Sequence, residues 1–383
     1  GFQGEDSSAN NTLMACAKHF AAYGAAEGGR DYNTVDMSKW SMLNIILPPF
    51  KACVDAGSGS FMNSFNLLNG IPATGNKWLV NETLRDRWGF DGVLVSDWGS
   101  IRELEQHGIA ANEAECAQIA IHGTTDIDME SSAYINSLKE LVNSGKVEEK
   151  LIDDAVRRIL RAKFELGLFD DPYLYCSEER ENQLVYCKEH LEIARESARK
   201  SIVLLKNENN LLPLKKEIKK IAVIGPLAND KDSPLGNWRC MGELKSAVSL
   251  LEGIKAIVSP QTTVLYAKGC SSGLKQGSFE DSKFEYSDDK SGFAEAVRVA
   301  KQSDVVILAV GEEAFMSGEA KSRADLNLPG VQEDLIIAIK NTGKPIVVVL
   351  MNGRPLTINW TAENIPAILE TWFLGSQAGN AIA

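Results

Sequence analysis

The sequence predicts an α/β protein built as two successive domains. Short apolar runs of strand length alternate with amphipathic stretches, the pattern of βα units around a parallel sheet. That pattern breaks at a polar, turn-rich stretch over 168–215, then resumes with longer and more continuous apolar runs. At 383 residues, 44% hydrophobic and 24% charged, the chain has the length for two ordinary cores and the composition of a globular protein.

In the first domain (1–170) the expected strands are 15–20, 60–65, 92–96 and 125–129. Between them apolar residues recur at helical spacing over 38–55, 77–88, 100–106 and 113–122, which reads as crossover helices. A longer helix over 147–167 has Leu151, Ile152, Ala155, Ile159 and Phe164 on one face, with Gly167 as its stop. A closed parallel barrel takes eight strands and only about four are visible here. Either further strands are hidden or an N-terminal half lies outside the sequence.

Residues 171–215 read as a linker: Asp170-Asp171-Pro172 turns the chain, a second amphipathic helix spans 184–205, and 207–214 is a polar loop. The second domain (216–383) then has strand-length runs at 220–224, 263–267, 305–310, 345–351 and 368–373, mostly spaced by helical patterns. This is an open α/β sheet with helices on its faces. Residues 269–291, rich in Ser, Gly and charge, read as a long surface loop.

The net charge of −12 disfavours a nucleic-acid groove, which needs a basic face to replace released counterions. A neutral ligand such as a sugar suits it better. No apolar run reaches the roughly 18 residues of a membrane span. The seven cysteines are scattered, with no C-x-x-C pair and no histidine at metal-ligand spacing, so they read as mainly buried thiols and not as a metal site. No G-x-G-x-x-G or P-loop string points to a nucleotide.

The strand GVLVS ends at Asp97, where barrel and open-sheet enzymes alike present functional groups. The competing reading is that Asp97 caps a helix beginning near Ser100. Trp98 beside it offers a flat apolar ring suited to the C–H face of a sugar. Lys18 and His19 end another predicted strand and lead into a Gly-rich loop with Glu27, Arg30 and Asp31. In the second domain the run 305–310 leads into a loop with Glu312, Glu313 and Glu319, so three carboxylates compete for one role. Glycoside hydrolysis needs two carboxyl groups, about 5 to 5.5 Å apart when configuration is retained. An Asp from one domain and a loop Glu from the other meet that requirement.

These residues resemble glycoside hydrolase family 3. The resemblance is carried by AKHFAAYGAAEGGRDYN (17–33), GSFMNSFNLLNGIPA (59–73), LRDRWGFDGVLVSDWGSI (84–101), FELGLFDDPY (164–173), SIVLLKNENNLLPL (201–214) and RADLNLPGVQEDLI (323–336). It implies a TIM-type β/α barrel, here only its C-terminal half, followed by an α/β sandwich with a mostly parallel sheet. By the family's motifs Asp97 is the nucleophile and Glu319 the acid/base, with Glu313 in reserve. Lys18, His19 and Arg30 then hold hydroxyls of the nonreducing-end sugar, and Trp98 floors that subsite. Phe65 stands where many relatives have Tyr, so a hydroxyl near the nucleophile is missing.

The resemblance further implies an internal fragment of a longer enzyme, unstable and inactive if expressed alone, with export to the periplasm or medium as in many relatives. It implies a retaining β-glucosidase acting on β-linked oligosaccharides or glycosides, with β-xylosidase as the alternative and no metal or organic cofactor. A homodimer is compatible with it. A noncatalytic sugar-binding relative is the reading from another class, and the intact carboxylates speak against it. Transfer to phosphate, which in the family uses a His acid/base, is disfavoured because the 311–323 loop has no His.

Overall fold

The computed structural model describes residues 1–273 and 284–383, in two compact units, Gly1–Glu178 and Glu179–Ala383. Of the loop expected over 269–291, residues 274–283 lie outside the described residues.

The first unit runs β1 (Cys16–Phe20), helix α1 (39–55), β2 (Ser60–Asn63), a small hairpin of β3 (Leu67–Leu68) and β4 (Ile71–Pro72), helix α2 (Trp78–Arg87) and β5 (Val93–Val95). Helices α3 (Glu103–Gln106), α4 (Glu113–His122), α5 (Ala133–Asn143) and α6 (Glu149–Glu165) follow. β1, β2 and β5 pair in that order, all parallel. Phe20, Phe61 and Leu94 from these strands pack with Met42 and Leu47 of α1 and Leu79 and Leu84 of α2, so the crossover helices bury their apolar stripes on one sheet face.

Ser38 opens α1 by accepting the Ser41 N–H at 3.1 Å. The helix widens into a π segment over Met42–Ile46, directly before Pro48 and Pro49, because a proline nitrogen has no proton for the carbonyl four residues back. Helix α2 is π-wound throughout, and α5 has no counterpart among the predicted elements.

The strand expected over 125–129 shrinks to a single parallel bridge between Val95 and Ile127. Asp126 explains this. Its carboxylate takes the Leu94 N–H at 2.9 Å, a donor that a regular ladder assigns to a neighbouring carbonyl, and Thr124 and Glu130 on either side have positive φ. The same carboxylate pairs with Arg85 of α2 and Arg158 of α6, both at 2.8 Å. Among the described residues the three strands and one bridge do not close a barrel.

In the second unit, after α7 (Glu178–Leu184), come α8 (Lys188–Ser201), β6 (Val203–Asn207), β7 (Lys220–Ile224), α9 (Leu250–Ile257) and β8 (Thr263–Ala267). The chain continues through α10 (Phe293–Lys301), β9 (Val305–Gly311), α11 (Gln332–Lys340), β10 (Ile346–Met351), α12 (Asn359–Asn364), β11 (Ala367–Glu370) and α13 (Ala378–Ile382). The sheet order is β6-β11-β10-β9-β7-β8, parallel except for β6. β9 and β10 are buried along their whole length, as continuous apolar runs demand. Val306, Leu308 and Val310 pack on one face with α10 and α11, whereas Val305, Ile307 and Ala309 pack on the other with α9.

Helix was expected over 184–205, but its last turn is instead the edge strand β6, antiparallel to β11. Ile202 through Leu205 suit either state by composition, and the open edge of β11 supplies the backbone partners that decide it. Asn207 then ties down the loop that follows: its side chain donates to the Leu212 carbonyl and accepts the Leu212 N–H, both at 2.9 Å. The cysteines also depart from expectation. All seven are free thiols, but only Cys116 and Cys270 are buried, while Cys16, Cys176 and Cys240 are exposed. No helix among the described residues is long and apolar enough to cross a membrane.

Candidate active site

In the first unit the site grows from the carboxyl ends of β1, β2 and β5. Ser96 closes β5 by donating its N–H to the Ile127 carbonyl, and its hydroxyl accepts the Met129 N–H at 2.8 Å. Asp97 follows, only 7% exposed. Its Oδ1 accepts the Trp98 N–H at 2.8 Å and the first helical residue after it is Glu103, so Asp97 is not a helix cap. Its Oδ2 is buried and accepts no hydrogen bond. That is an unusual state for a buried carboxylate oxygen, because desolvation without a donor costs about 1–3 kcal/mol or more.

His19 Nε2 lies 3.4 Å from Asp97 Oδ2. The His19 ring meets Tyr23 edge-on at 5.2 Å, and Tyr23 and Tyr32 both contact Phe65, at 5.9 and 5.1 Å. Phe65 is buried at the end of β2, and beside it Asn66 presents a buried Oδ1 with no hydrogen-bond partner. The structure thus brings His19, Phe65 and Asp97 into one cluster. Tyr23 and Tyr32 join that cluster, although sequence reasoning singled out neither; their only signal was an aromatic on each flank of the Gly-rich loop. Lys18 and Arg30 are both exposed.

Trp98 is 64% exposed and lines a polar cleft with Arg102, Glu103, Gln106 and Glu130. Burial, and next the negative charge of Asp97, push the Glu103 carboxyl above the usual range. An apolar ring among hydrogen-bonding groups is what a sugar face requires.

The second unit sorts the three loop carboxylates. Glu312, directly after β9, is fully buried and paired with Arg323 at 2.8 Å and Arg354 at 3.0 Å. Both its charge and its lone pairs are committed, which removes it from the competition. Glu313 is half-buried and lines a cavity with Asp230, Asp232 and Lys268 at the carboxyl ends of β7, β8 and β9, where the strand order reverses. Burial first, and then repulsion from Asp230 and Asp232, raise its carboxyl above the usual range. Glu319 is half-buried in a turn between Gly318 (φ 126) and Ala320 (φ 57), both in the positive-φ region. Among the described residues no group of three or more His, Cys, Asp or Glu side chains gathers as metal ligands.

A buried aspartate with one bare oxygen at a strand end, beside an imidazole and an exposed tryptophan, is suited to nucleophilic work on a carbohydrate. The glycosyl hydrolase family 3 N terminal domain matches residues 1–162, and the family 3 C-terminal domain matches 202–383. The chain belongs to glycoside hydrolase family 3.

Within the family it is 44% identical, over its whole length, to the periplasmic β-glucosidase of Salmonella typhimurium, covering 51% of that protein. A β-xylosidase of Formosa agariphila is 42% identical, with 99% of this chain and 52% of the relative covered. Among solved structures, the β-glucosidase of Listeria innocua in complex with glucose superposes with a TM-score of 0.89 at 39% identity, covering 100% of this chain and 50% of that one. The family 3 chain described here therefore spans about half the length of these relatives.

Proposed function

We propose that the chain provides the catalytic carboxyl groups of a retaining, exo-acting β-glycosidase that removes terminal β-D-glucosyl residues from glucosides or gluco-oligosaccharides. The observation that supports this most is Asp97: buried, placed directly after β5, and with its Oδ2 bare of hydrogen bonds 3.4 Å from His19. Asp97 Oδ2 attacks the anomeric carbon while the bond to the leaving oxygen breaks, and Glu319 gives that oxygen its proton. Water then opens the glycosyl-enzyme, with Glu319 taking the water proton, so the product keeps its configuration. Lys18, His19 and Arg30 hold hydroxyls of the nonreducing-end sugar, Phe65 and the rings of Tyr23 and Tyr32 wall that subsite, and Trp98 supplies its stacking face.

The barrel half expected over 1–170 and a sandwich domain as acid/base carrier are part of this reading. So is a periplasmic setting, which is where the Salmonella relative's name places that protein. A β-xylosidase is the second reading, favoured by the Formosa relative's similar identity. Phe65, which lacks the hydroxyl of many relatives, lies against this subsite and bears on the choice.

The test uses the full-length polypeptide with aryl β-glucoside and aryl β-xyloside. Asp97→Ala is expected to lower turnover by at least about a thousandfold. Glu319→Ala is expected to lower it by about a hundredfold or more, with azide restoring turnover as the β-glycosyl azide. The ratio of the two substrates names the sugar. Near-normal turnover by Glu319→Ala would move the acid/base to Glu313, and an active Asp97→Ala would sink the proposal.

A further inference from the structure

We infer that Arg354 is a positioning residue for Glu319, acting as a clip on both feet of the turn that carries it; the inference rests on the acid/base role proposed above. Arg354 lies three residues after β10, on the loop beneath the 312–323 segment. Its Nη2 donates to the Met316 carbonyl at 2.6 Å and to the Lys321 carbonyl at 2.7 Å. These carbonyls stand three residues before Glu319 and two after it, so one guanidinium holds the entry and the exit of the turn together.

The clip is itself anchored. Glu312 Oε1 lies 3.0 Å from Arg354 Nε and also pairs with Arg323 Nη1 at 2.8 Å. Arg323 in turn donates to the Asn327 carbonyl at 3.0 Å, which fixes the chain leaving the loop. Glu312 is fixed from the strand side, because Gln332 bonds both the N–H and the carbonyl of Gly311 at 2.8 Å. Arg354 also sits where the two loops approach closely: a Cβ on Gly353 would fall 2.1 Å from Ser317 Oγ, so glycine is what allows this approach.

The turn needs such a clip. Gly318 and Ala320 both have positive φ, and Ala320, which has a Cβ, is strained at φ 57. Strain of this kind persists only where surrounding contacts over-determine the backbone. Here one planar cation contacts the backbone on either side of Glu319. Lysine cannot replace it, since one ammonium cannot serve two carbonyls and a carboxylate in the fork geometry of a guanidinium. The inference therefore assigns Arg354 a role in where the Glu319 carboxyl stands, not in contact with substrate.

The deciding measurement compares kcat/KM for an alkyl β-glycoside, whose leaving group needs a proton, with that for a 2,4-dinitrophenyl β-glycoside, whose leaving group does not. In the full-length protein, Arg354→Lys and Arg354→Gln are expected to lower kcat/KM for the alkyl substrate by about tenfold to a hundredfold. For the dinitrophenyl substrate the expected fall is under about threefold. In a Glu319→Ala background, adding Arg354→Gln is expected to change neither value by more than about threefold, because the group it positions is already gone. Arg354→Lys keeps a cation beside Glu312, so it retains the fold if the Gln variant does not. Equal losses on both substrates, or the same fold-loss in the Glu319→Ala background, would mean general packing and overturn the inference. A Glu319→Ala enzyme that hydrolyses the alkyl substrate normally would instead remove the acid/base reading itself, and is recognised without any Arg354 variant.

Discussion

At the scale of single residues, buried carboxylates are used in two opposite ways. Asp126 and Glu312 each face two arginines at 3.0 Å or less, and their oxygens are occupied. Asp97 has one oxygen held by the Trp98 N–H and one bare. The first arrangement spends charge on holding the chain together, and the second leaves an oxygen free for the attack proposed above. The pinning role is measurable: Asp126→Asn leaves Arg85 and Arg158 nearly buried without their counter-charge, and is expected to destabilise by about 3–5 kcal/mol. Asp91→Asn at the exposed pair with Arg161 is expected to cost under about 1 kcal/mol. Denaturant melts of the two variants give the comparison, and equal losses would contradict it.

At the scale of elements, close backbone approach governs the second unit. Helix α9 starts with a full capping box, in which the Ser249 hydroxyl accepts the Glu252 N–H while the Glu252 carboxylate accepts the Ser249 N–H. Within that helix Gly253 faces α13, and a Cβ there would stand 2.1 Å from the Gly379 carbonyl oxygen. Helix propensity alone favours Ala over Gly by about 1 kcal/mol. The contact reverses that sign, so Gly253→Ala is expected to lower the thermal midpoint, by about 1–3 kcal/mol of overpacking. A raised midpoint would show that α13 yields freely. The same logic applies to β6, whose residues have no strong strand pattern and become a strand because β11 offers an edge.

At the scale of the whole molecule, the carboxyl groups set the pH response. Glu313 has its carboxyl raised by burial and by Asp230 and Asp232. Its folded-state value lies above its unfolded one, so the folded state binds more protons in between, and stability contributed by the protonated form is lost as pH rises through that range. Glu313→Gln removes the penalty, and its thermal midpoint is expected to exceed the parent's by a margin that grows from acid to neutral pH. A margin independent of pH would rule out this linkage. Asp91 works in the other direction: the hydrogen bond from Arg161 holds its carboxyl low, so its contribution is present at neutral pH and fades on acidification.

What the sequence determined by itself follows from patterns that survive any surroundings. The runs at 305–310 and 345–351 are strands because a continuous apolar segment of that length has to be buried on both faces, and Asp97 was visible as a candidate because it follows such a run. The family was legible for the same reason, in strings that keep their order along the whole chain. The fate of chemically identical side chains was not legible. Glu312, Glu313 and Glu319 look alike in sequence; their surroundings separate only when Arg354, far along the chain, reaches Glu312 and the two carbonyls around Glu319. Likewise Asp126 ends a strand that the pattern predicted, because its carboxylate and two distant arginines outcompete the ladder. Burial is a property of composition and can be read locally, whereas the partner of a charge is decided only where the folded chain brings distant residues together.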